Sequence, residues 1–371
     1  MKQGKLRQMF PGGNTAAGFY SYYDQIIGPD ATRIFIIKGG PGTGKSTFIR
    51  KIGEEMLARG FDVEFMCSSS DNGSLTGVVI PAIRVALIDG TAPHGVEPKN
   101  PGAVDEIVHL GDFWDEAKLR AHKEEILATN RRISRLFGIA YAQLREAAVI
   151  RDELESYISV SMDFVKVNEV LRETARAIFK GAPVQHEHFP QVRRLFASAI
   201  SPDGVVHHLE TLLQDLKTLY VIQGPPGSGR STFLARLVEA AVIRGLGTEV
   251  FHCAFLPREI DLFIIPDLKV AVLKEVPEVG FVPPEQLAVR RVNLEGYSQP
   301  RRLTAYAAEI AHARRRFSEA LGRAVHYLHQ AKLTHDYLEE FYTGAMDFAR
   351  VEARRQEILN RIFRYAAENE T

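Results

Sequence analysis

The chain has 371 residues, a length that suits two domains, each large enough to bury its own core. Lysine and arginine together number 46, as do aspartate and glutamate, so bulk charge does not indicate nucleic acid or an acidic membrane as a partner. The sequence contains no long apolar run and no secretory leader pattern, so we expect a cytoplasmic protein without a membrane span. Two cysteines, Cys67 and Cys253, are too few for a disulfide framework, and we expect each to be a small buried residue.

The first element with a chemical signature is a β-rich run at residues 33–38. It leads directly into a glycine-rich loop at 39–47 (GGPGTGKST), which a predicted helix over 45–59 follows. This strand–loop–helix order is typical of a P-loop, because N–H groups at a helix N-terminus bind phosphate and glycine lets the main chain approach. We therefore predict binding of a nucleoside triphosphate. ATP is favoured because the sequence has no guanine-reading Asn-Lys-x-Asp motif.

Positions within this first glycine loop (residues 39–47) carry distinct predicted roles. Lys45 is expected to bridge the β- and γ-phosphates, and the Ser46 hydroxyl is expected to ligate Mg²⁺. The other predicted nucleotide contacts are Gly39, Gly40, Gly42, Thr43, Gly44 and Thr47.

Further strands are predicted at 62–67, at 84–88 and, more briefly, at 106–110. Asp89 ends the apolar run of the second of these, so it is the candidate Walker-B carboxylate that would hold Mg²⁺ together with Ser46; the alternative is that it caps a turn.

Glycine follows Asp89, at the position where many ATPases place a glutamate that activates water. Asp71 and His94 are the candidates in sequence for orienting water or an acceptor hydroxyl. The alternative is that both are ordinary polar loop residues.

From about residue 115 to 180 the pattern changes to long amphipathic helix, and residues 310–328 repeat it. Apolar residues at spacings of three, four and seven indicate the packing seam of a helical hairpin. The alternative is a face that binds a partner protein or a second copy of the chain. Arginines lie on these helices at 131–132 and at 314–316. They are either a solvated face or a source of an arginine finger.

The second half repeats the first, since Gly39 and Gly224 begin matching motifs 185 positions apart. The second glycine loop (residues 224–232) has arginine in place of the motif's lysine, which changes reach and geometry at a γ-phosphate. Lys274 stands where the first half has Asp89, so the charge of the expected magnesium ligand is reversed unless Glu275 substitutes for it. We therefore expect one active site and one degenerate site that holds nucleotide statically, serves as a scaffold or regulates the first. The predicted contacts of the second loop are Gly224, Gly227, Gly229, Arg230, Ser231 and Thr232.

Strands alternating with helices predict an α/β fold of two tandem P-loop NTPase domains, at 1–186 and 187–371. Each domain is expected to have a parallel sheet flanked by helices and a long C-terminal helical hairpin. The chain also resembles a group of bacterial tandem-duplicated P-loop ATPase or nucleotide-binding proteins. That resemblance covers nearly the whole chain, rests on residues 39–47, 67–71 and 89–94 and on the repeated halves, and implies nucleotide binding.

Three functions fit these residues. The first is an ATP-dependent NTPase or switch with slow hydrolysis. The second is a small-molecule or nucleotide kinase, with Asp71 or His94 near the acceptor hydroxyl. The third is a non-enzymatic nucleotide sensor whose hairpins recruit a protein.

Overall fold

The computed structural model describes residues 3–91, 95–182, 190–275 and 280–368 of the chain. The predicted boundary at 186/187 and His94 lie outside these residues. Elements of the first half are β1 (Leu6–Met9), β2 (Gly12–Thr15), β3 (Gly18–Ser21), β4 (Arg33–Lys38), α1 (Lys45–Ala58), β5 (Val63–Cys67), β6 (Leu75–Ile80), β7 (Val85–Asp89), β8 (Asp105–His109), α2 (Glu116–Ala121), α3 (Lys123–Ser159) and α4 (Phe164–Ile178). Those of the second half are β9 (Val192–Phe196), β10 (Ser198–Ser201), β11 (Gly204–His207), α5 (Leu209–Leu213), β12 (Thr218–Gln223), α6 (Arg230–Ile243), β13 (Thr248–His252), β14 (Ile260–Ile265), β15 (Val270–Lys274), β16 (Ala288–Asn293), α7 (Pro300–Ala305), α8 (Ala307–Thr343) and α9 (Phe348–Glu368).

Each half contains a six-stranded sheet, and the strand order is the same in both. The first runs β1-β5-β6-β7-β4-β8, and the second runs β9-β13-β14-β15-β12-β16. The α/β class and the two similar halves are thus confirmed.

The predicted all-parallel sheet is wrong, because β6 and β14 run antiparallel to both neighbours. Their connections are too short for a crossover helix: four residues link β6 to β7, ending at Arg84 with φ +53°. The matching turn of the second half ends at Lys269 with φ +52°.

Side chains alternate between the two faces of each sheet, as the pleat requires. In β7, Val85 and Leu87 join a core cluster with α1. Ala86 and Ile88 join a different cluster that also contains apolar residues of the second sheet. The two sheets therefore share one central core, and each half buries part of its apolar surface against the other.

The last helix of each half packs on the opposite half. Ile358 and Ile362 of α9 lie in the core cluster of the first sheet, beside α1. Val167 and Ile178 of α4 lie in the core cluster of the second sheet, beside α6. The duplicated halves are thus interlocked by an exchange of helices.

The helices α3 and α8, each of 37 residues, pack along one another. Arg323 pairs with Glu146, while Arg316, further towards the start of α8, pairs with Glu153, so the two helices run antiparallel. Six fully buried alanines occur on these two helices and permit a close approach: Ala140, Ala147, Ala313, Ala320, Ala324 and Ala331.

The predicted hairpin within each half is therefore wrong. The apolar stripe identifies the buried face of α3, but the partner of that face comes from the other copy. Cys67 and Cys253 are both buried and unpaired, as predicted. Among the helices that the structure describes, we find no candidate for a membrane span by length and hydropathy.

Candidate functional site

The first glycine loop lies between the carboxyl end of β4 and the first residue of α1, Lys45. Gly42 and Gly44 have φ of +67° and +86°, a region that residues with a side chain rarely adopt. Gly44 is also the N-cap of α1 and offers no side chain as a cap. The loop therefore has the predicted strand–loop–helix context, with the helix N-terminus presented to the loop.

Lys45 folds back over this loop. Its Nζ donates to the carbonyl oxygens of Gly40 (2.7 Å) and Gly39 (3.1 Å), and it lies 3.9 Å from Asp89 Oδ2. Burial lowers the pKa of Lys45, while Asp89 and Glu339 oppose that shift. The structure therefore brings Lys45 and Asp89 together at the first loop.

Asp89 ends β7, which runs parallel to β4 and places Asp89 opposite Ile37. Its Oδ1 accepts a hydrogen bond from the Thr91 N–H at 2.9 Å, and the Thr91 hydroxyl donates to the Gly39 carbonyl at 3.1 Å. Asp89 thus shapes the turn after its strand and also faces Lys45 with its second oxygen. Ser46 lies at the same helix terminus, where its hydroxyl oxygen accepts from the Leu75 N–H at 2.8 Å.

Asp71 lies in the loop between β5 and β6. Its Oδ1 accepts from the Gly73 N–H, and its Oδ2 lies 3.7 Å from Lys332 Nζ. The partner of this predicted site residue therefore belongs to α8 of the second half. Arg131 and Arg132 are exposed.

The last turns of α8 lie against the first glycine loop. The Thr343 hydroxyl donates to the Gly42 carbonyl at 3.3 Å. A Cβ on Gly40 would lie 2.6 Å from the Tyr342 ring, and one on Gly42 would lie 2.7 Å from the Glu339 carbonyl oxygen. These glycines are therefore required for the close approach of α8 as well as for an open loop.

One face of α8 carries charged groups towards this site: Lys332, His335, Asp336 and Glu339. The spacing of three, four and seven places them on the same side of the helix. His335 Nδ1 lies 3.6 Å from Glu339 Oε1, and burial lowers the pKa of His335 while Glu339 and Asp336 oppose that shift. These four residues were not predicted as site residues, because nothing in the sequence places α8 beside a loop some 300 positions away.

The second glycine loop has a similar backbone, with Gly227 and Gly229 at φ of +83° and +92°. The end of α3 covers it, since a Cβ on Gly227 would lie 2.6 Å from the Glu155 carbonyl oxygen. Arg230 does not extend like a phosphate-binding lysine. Instead, its Nη1 donates to the Glu275 carbonyl at 2.5 Å, and the side chain is buried.

In this second site, the Glu259 carboxylate forms hydrogen bonds and ion pairs with the polar groups of the loop and its surroundings. Glu259 Oε2 accepts from the Ser231 hydroxyl at 2.7 Å and from Lys274 Nζ at 2.8 Å, and it lies 3.2 Å from Arg151. Asp261 is the second partner of Lys274, at 2.6 Å. Burial opposes ionisation of Glu259, but Lys274 and Arg151 lower its pKa to about 2.

The change from a carboxylate (Asp89) to an ammonium group (Lys274) between the two halves is accompanied by new acidic partners. Lys274 is only 2% exposed, so its ammonium group needs partners to compensate for lost hydration. Glu259 and Asp261 supply them, and at the repeat spacing these positions correspond to Ser74 and Thr76 of the first half. The repeat comparison shows the carboxylate lost at position 274, but the two gained at Glu259 and Asp261 were not predicted as its partners.

No protein-family model matches the chain, and no similar protein of known function and no similar solved structure was found.

Proposed function

We propose that the protein binds one magnesium–nucleoside triphosphate, with ATP favoured, at residues 39–47 and hydrolyses it slowly. The observation that carries this proposal is the meeting of Lys45 with Asp89 at the ends of two adjacent parallel strands, on a loop that leads into a helix N-terminus. A cation, a carboxylate and oriented N–H groups in this arrangement complement a bound triphosphate and its metal ion.

The residues fit distinct tasks in that complex. Loop N–H groups would bind phosphate oxygens, and Lys45 would leave the carbonyls of Gly39 and Gly40 to neutralise the β- and γ-phosphates. Ser46 and Asp89 offer hydroxyl and carboxylate oxygens, which are the hard ligands that Mg²⁺ prefers. Bound Mg²⁺ would supply charge neutralisation on the phosphate oxygens.

The second glycine loop supports a one-site proposal. Its Ser231 hydroxyl already donates a hydrogen bond to Glu259, and Lys274 already forms ion pairs with two carboxylates. A triphosphate would meet the negative charge of Glu259 and Asp261 there, with no carboxylate at position 274 to hold a metal ion. We therefore assign the second loop a structural role.

Titration with a fluorescent ATP analogue in the presence of Mg²⁺ tests this proposal. We expect one molecule bound per chain, with binding weakened at least about 10-fold in Lys45→Ala through loss of the charged contact to phosphate. Slow phosphate release by the wild type is expected in the same buffer. Absence of nucleotide binding by the wild-type chain contradicts the proposal, while binding without any turnover leaves a nucleotide sensor in place of an NTPase.

A further inference from the structure

The first site needs a group that orients the attacking water, and the position after Asp89 is closed to one. A Cβ on Gly90 would lie 2.4 Å from the Ile36 side chain and 2.9 Å from the Val96 carbonyl oxygen. The backbone at this position therefore excludes the glutamate that could act as a base there. If the site performs hydrolysis, its base comes from another element.

Among the described residues, four carboxylates around the site are candidates. Asp89 is assigned to the metal ion in the proposed function. Asp71 and Asp336 both lie beside the ammonium group of Lys332, at 3.7 Å for Asp71. Glu339 remains, and its main chain lies against the first glycine loop, since a Cβ on Gly42 would lie 2.7 Å from the Glu339 carbonyl oxygen.

The backbone around Glu339 is fixed relative to the first glycine loop. Its Cα would lie 3.2 Å from a Cβ on Gly42, and four residues later Thr343 donates to the carbonyl of that same glycine. Phe348, the first residue of α9, lies against Gly44. A base must be held within hydrogen-bond reach of its water. These contacts place the backbone of Glu339 against the loop that we propose to bind phosphate.

The repeat provides an internal comparison. Glu155, 184 positions before Glu339, lies at the same place over the second loop, but Arg151 pairs with it at 2.9 Å. The position of Arg151 is taken by His335 at the first site, 3.6 Å from Glu339. Arg151 gives Glu155 a permanently charged partner, whereas Glu339 has a histidine at that position. Burial lowers the pKa of His335, which disfavours its charged form.

We propose that Glu339, delivered by α8 of the second half, is the catalytic base of the first site. This inference rests on the proposed function. The oxygen of a water molecule bonds to the γ-phosphorus, and the bond from that phosphorus to the β–γ bridging oxygen breaks. One proton of the water passes to the Glu339 carboxylate and from there to solvent, leaving nucleoside diphosphate and phosphate. Hydrolysis therefore requires the second half to be seated on the first.

The test compares Glu339→Gln with its repeat counterpart Glu155→Gln in the full chain. Glu339→Gln is expected to lower kcat for ATP at least about 100-fold, as loss of a general base does, with binding of the ATP analogue changed less than about twofold. Glu155→Gln is expected to keep kcat within about threefold. Mass spectrometry of retained nucleotide should shift from diphosphate to triphosphate in Glu339→Gln alone.

Other outcomes separate the possible failures. Wild-type turnover with unchanged kcat in Glu339→Gln overturns this inference and leaves the proposed function intact. A wild type that binds no nucleotide overturns both. Equal loss of binding and turnover in Glu339→Gln shows a structural role and also overturns the inference, as does a loss found in Asp71→Asn instead. Glu339→Asp, which keeps the carboxylate, should retain more turnover than Glu339→Gln.

Discussion

Replacing Glu259 with glutamine removes the carboxylate that joins Ser231, Lys274 and Arg151 in the second loop. In the folded chain the pKa of Glu259 is lowered from 4.5 to about 2, against the opposing effect of burial, by Lys274 and Arg151. That difference corresponds to about 3 kcal/mol of stability at pH 7. We therefore expect Glu259→Gln to reduce the free energy of unfolding by about that amount.

The pH dependence follows from the direction of the shift. A carboxyl group with a lowered pKa stabilises the folded state above its unfolded pKa, and this stabilisation is lost as the pH falls through the folded pKa. The difference between wild type and Glu259→Gln should thus be full above about pH 5 and fall to about half by pH 3. Urea unfolding at several pH values measures it.

Glu352→Gln is the matched control. Hydrogen bonds from Arg355 help to lower the pKa of Glu352 to about 2 as well, but its side chain is 43% exposed. Solvent screens such a pair, so we expect a loss below about 1 kcal/mol. Two results would refute the reasoning that the buried ion pairs of Glu259 stabilise the fold at the second loop. One is an equal loss of unfolding free energy in the two variants, and the other is a Glu259→Gln loss that does not change with pH.

Three further predictions concern the first site and the exchanged helices. Asp89→Asn should lower Mg²⁺-dependent turnover at least about 10-fold at unchanged fold, measured by phosphate release against Mg²⁺ concentration, because a neutral amide is a weaker ligand for a hard cation. Ile358→Ala on α9, fully buried in the core of the first sheet, should cost about 2–5 kcal/mol and speed amide hydrogen exchange in β4, although the residue belongs to the second half. Gly42→Ala should abolish binding of the ATP analogue, because Gly42 has a φ of +67° and the added Cβ would clash with the Glu339 carbonyl oxygen. Gly204→Ala is the control, since Gly204 has a φ of +100° but open space around it. This variant should lose only about 1–3 kcal/mol of stability and keep binding.

Local motifs were the part of this molecule most accessible from sequence. The approach of Lys45 to Asp89 was predictable, because a strand that leads into a glycine loop and a neighbouring strand that ends in a carboxylate meet at one sheet edge. The repeat likewise predicted two similar halves, which the shared strand order confirms. In both cases the information lies within a short stretch or in a direct comparison of two stretches.

Features that depend on the relation between the halves were not accessible. The apolar stripe of α3 fits its own half and the other half equally well, so the sequence pattern could not select α8 as the partner. For the same reason Glu339 could not be placed beside Lys45. The antiparallel strands β6 and β14 were missed because a buried apolar run carries no record of its direction in the sheet.

The central claim is that the first glycine loop binds nucleotide and the second does not. Native mass spectrometry of the purified chain incubated with ATP and Mg²⁺ tests it most directly, with Lys45→Ala and Arg230→Ala as the paired variants. We predict one nucleotide per chain in the wild type and in Arg230→Ala, and a strongly reduced fraction of nucleotide-bound chains in Lys45→Ala. Two nucleotides per chain, or equal loss in both variants, would contradict the account.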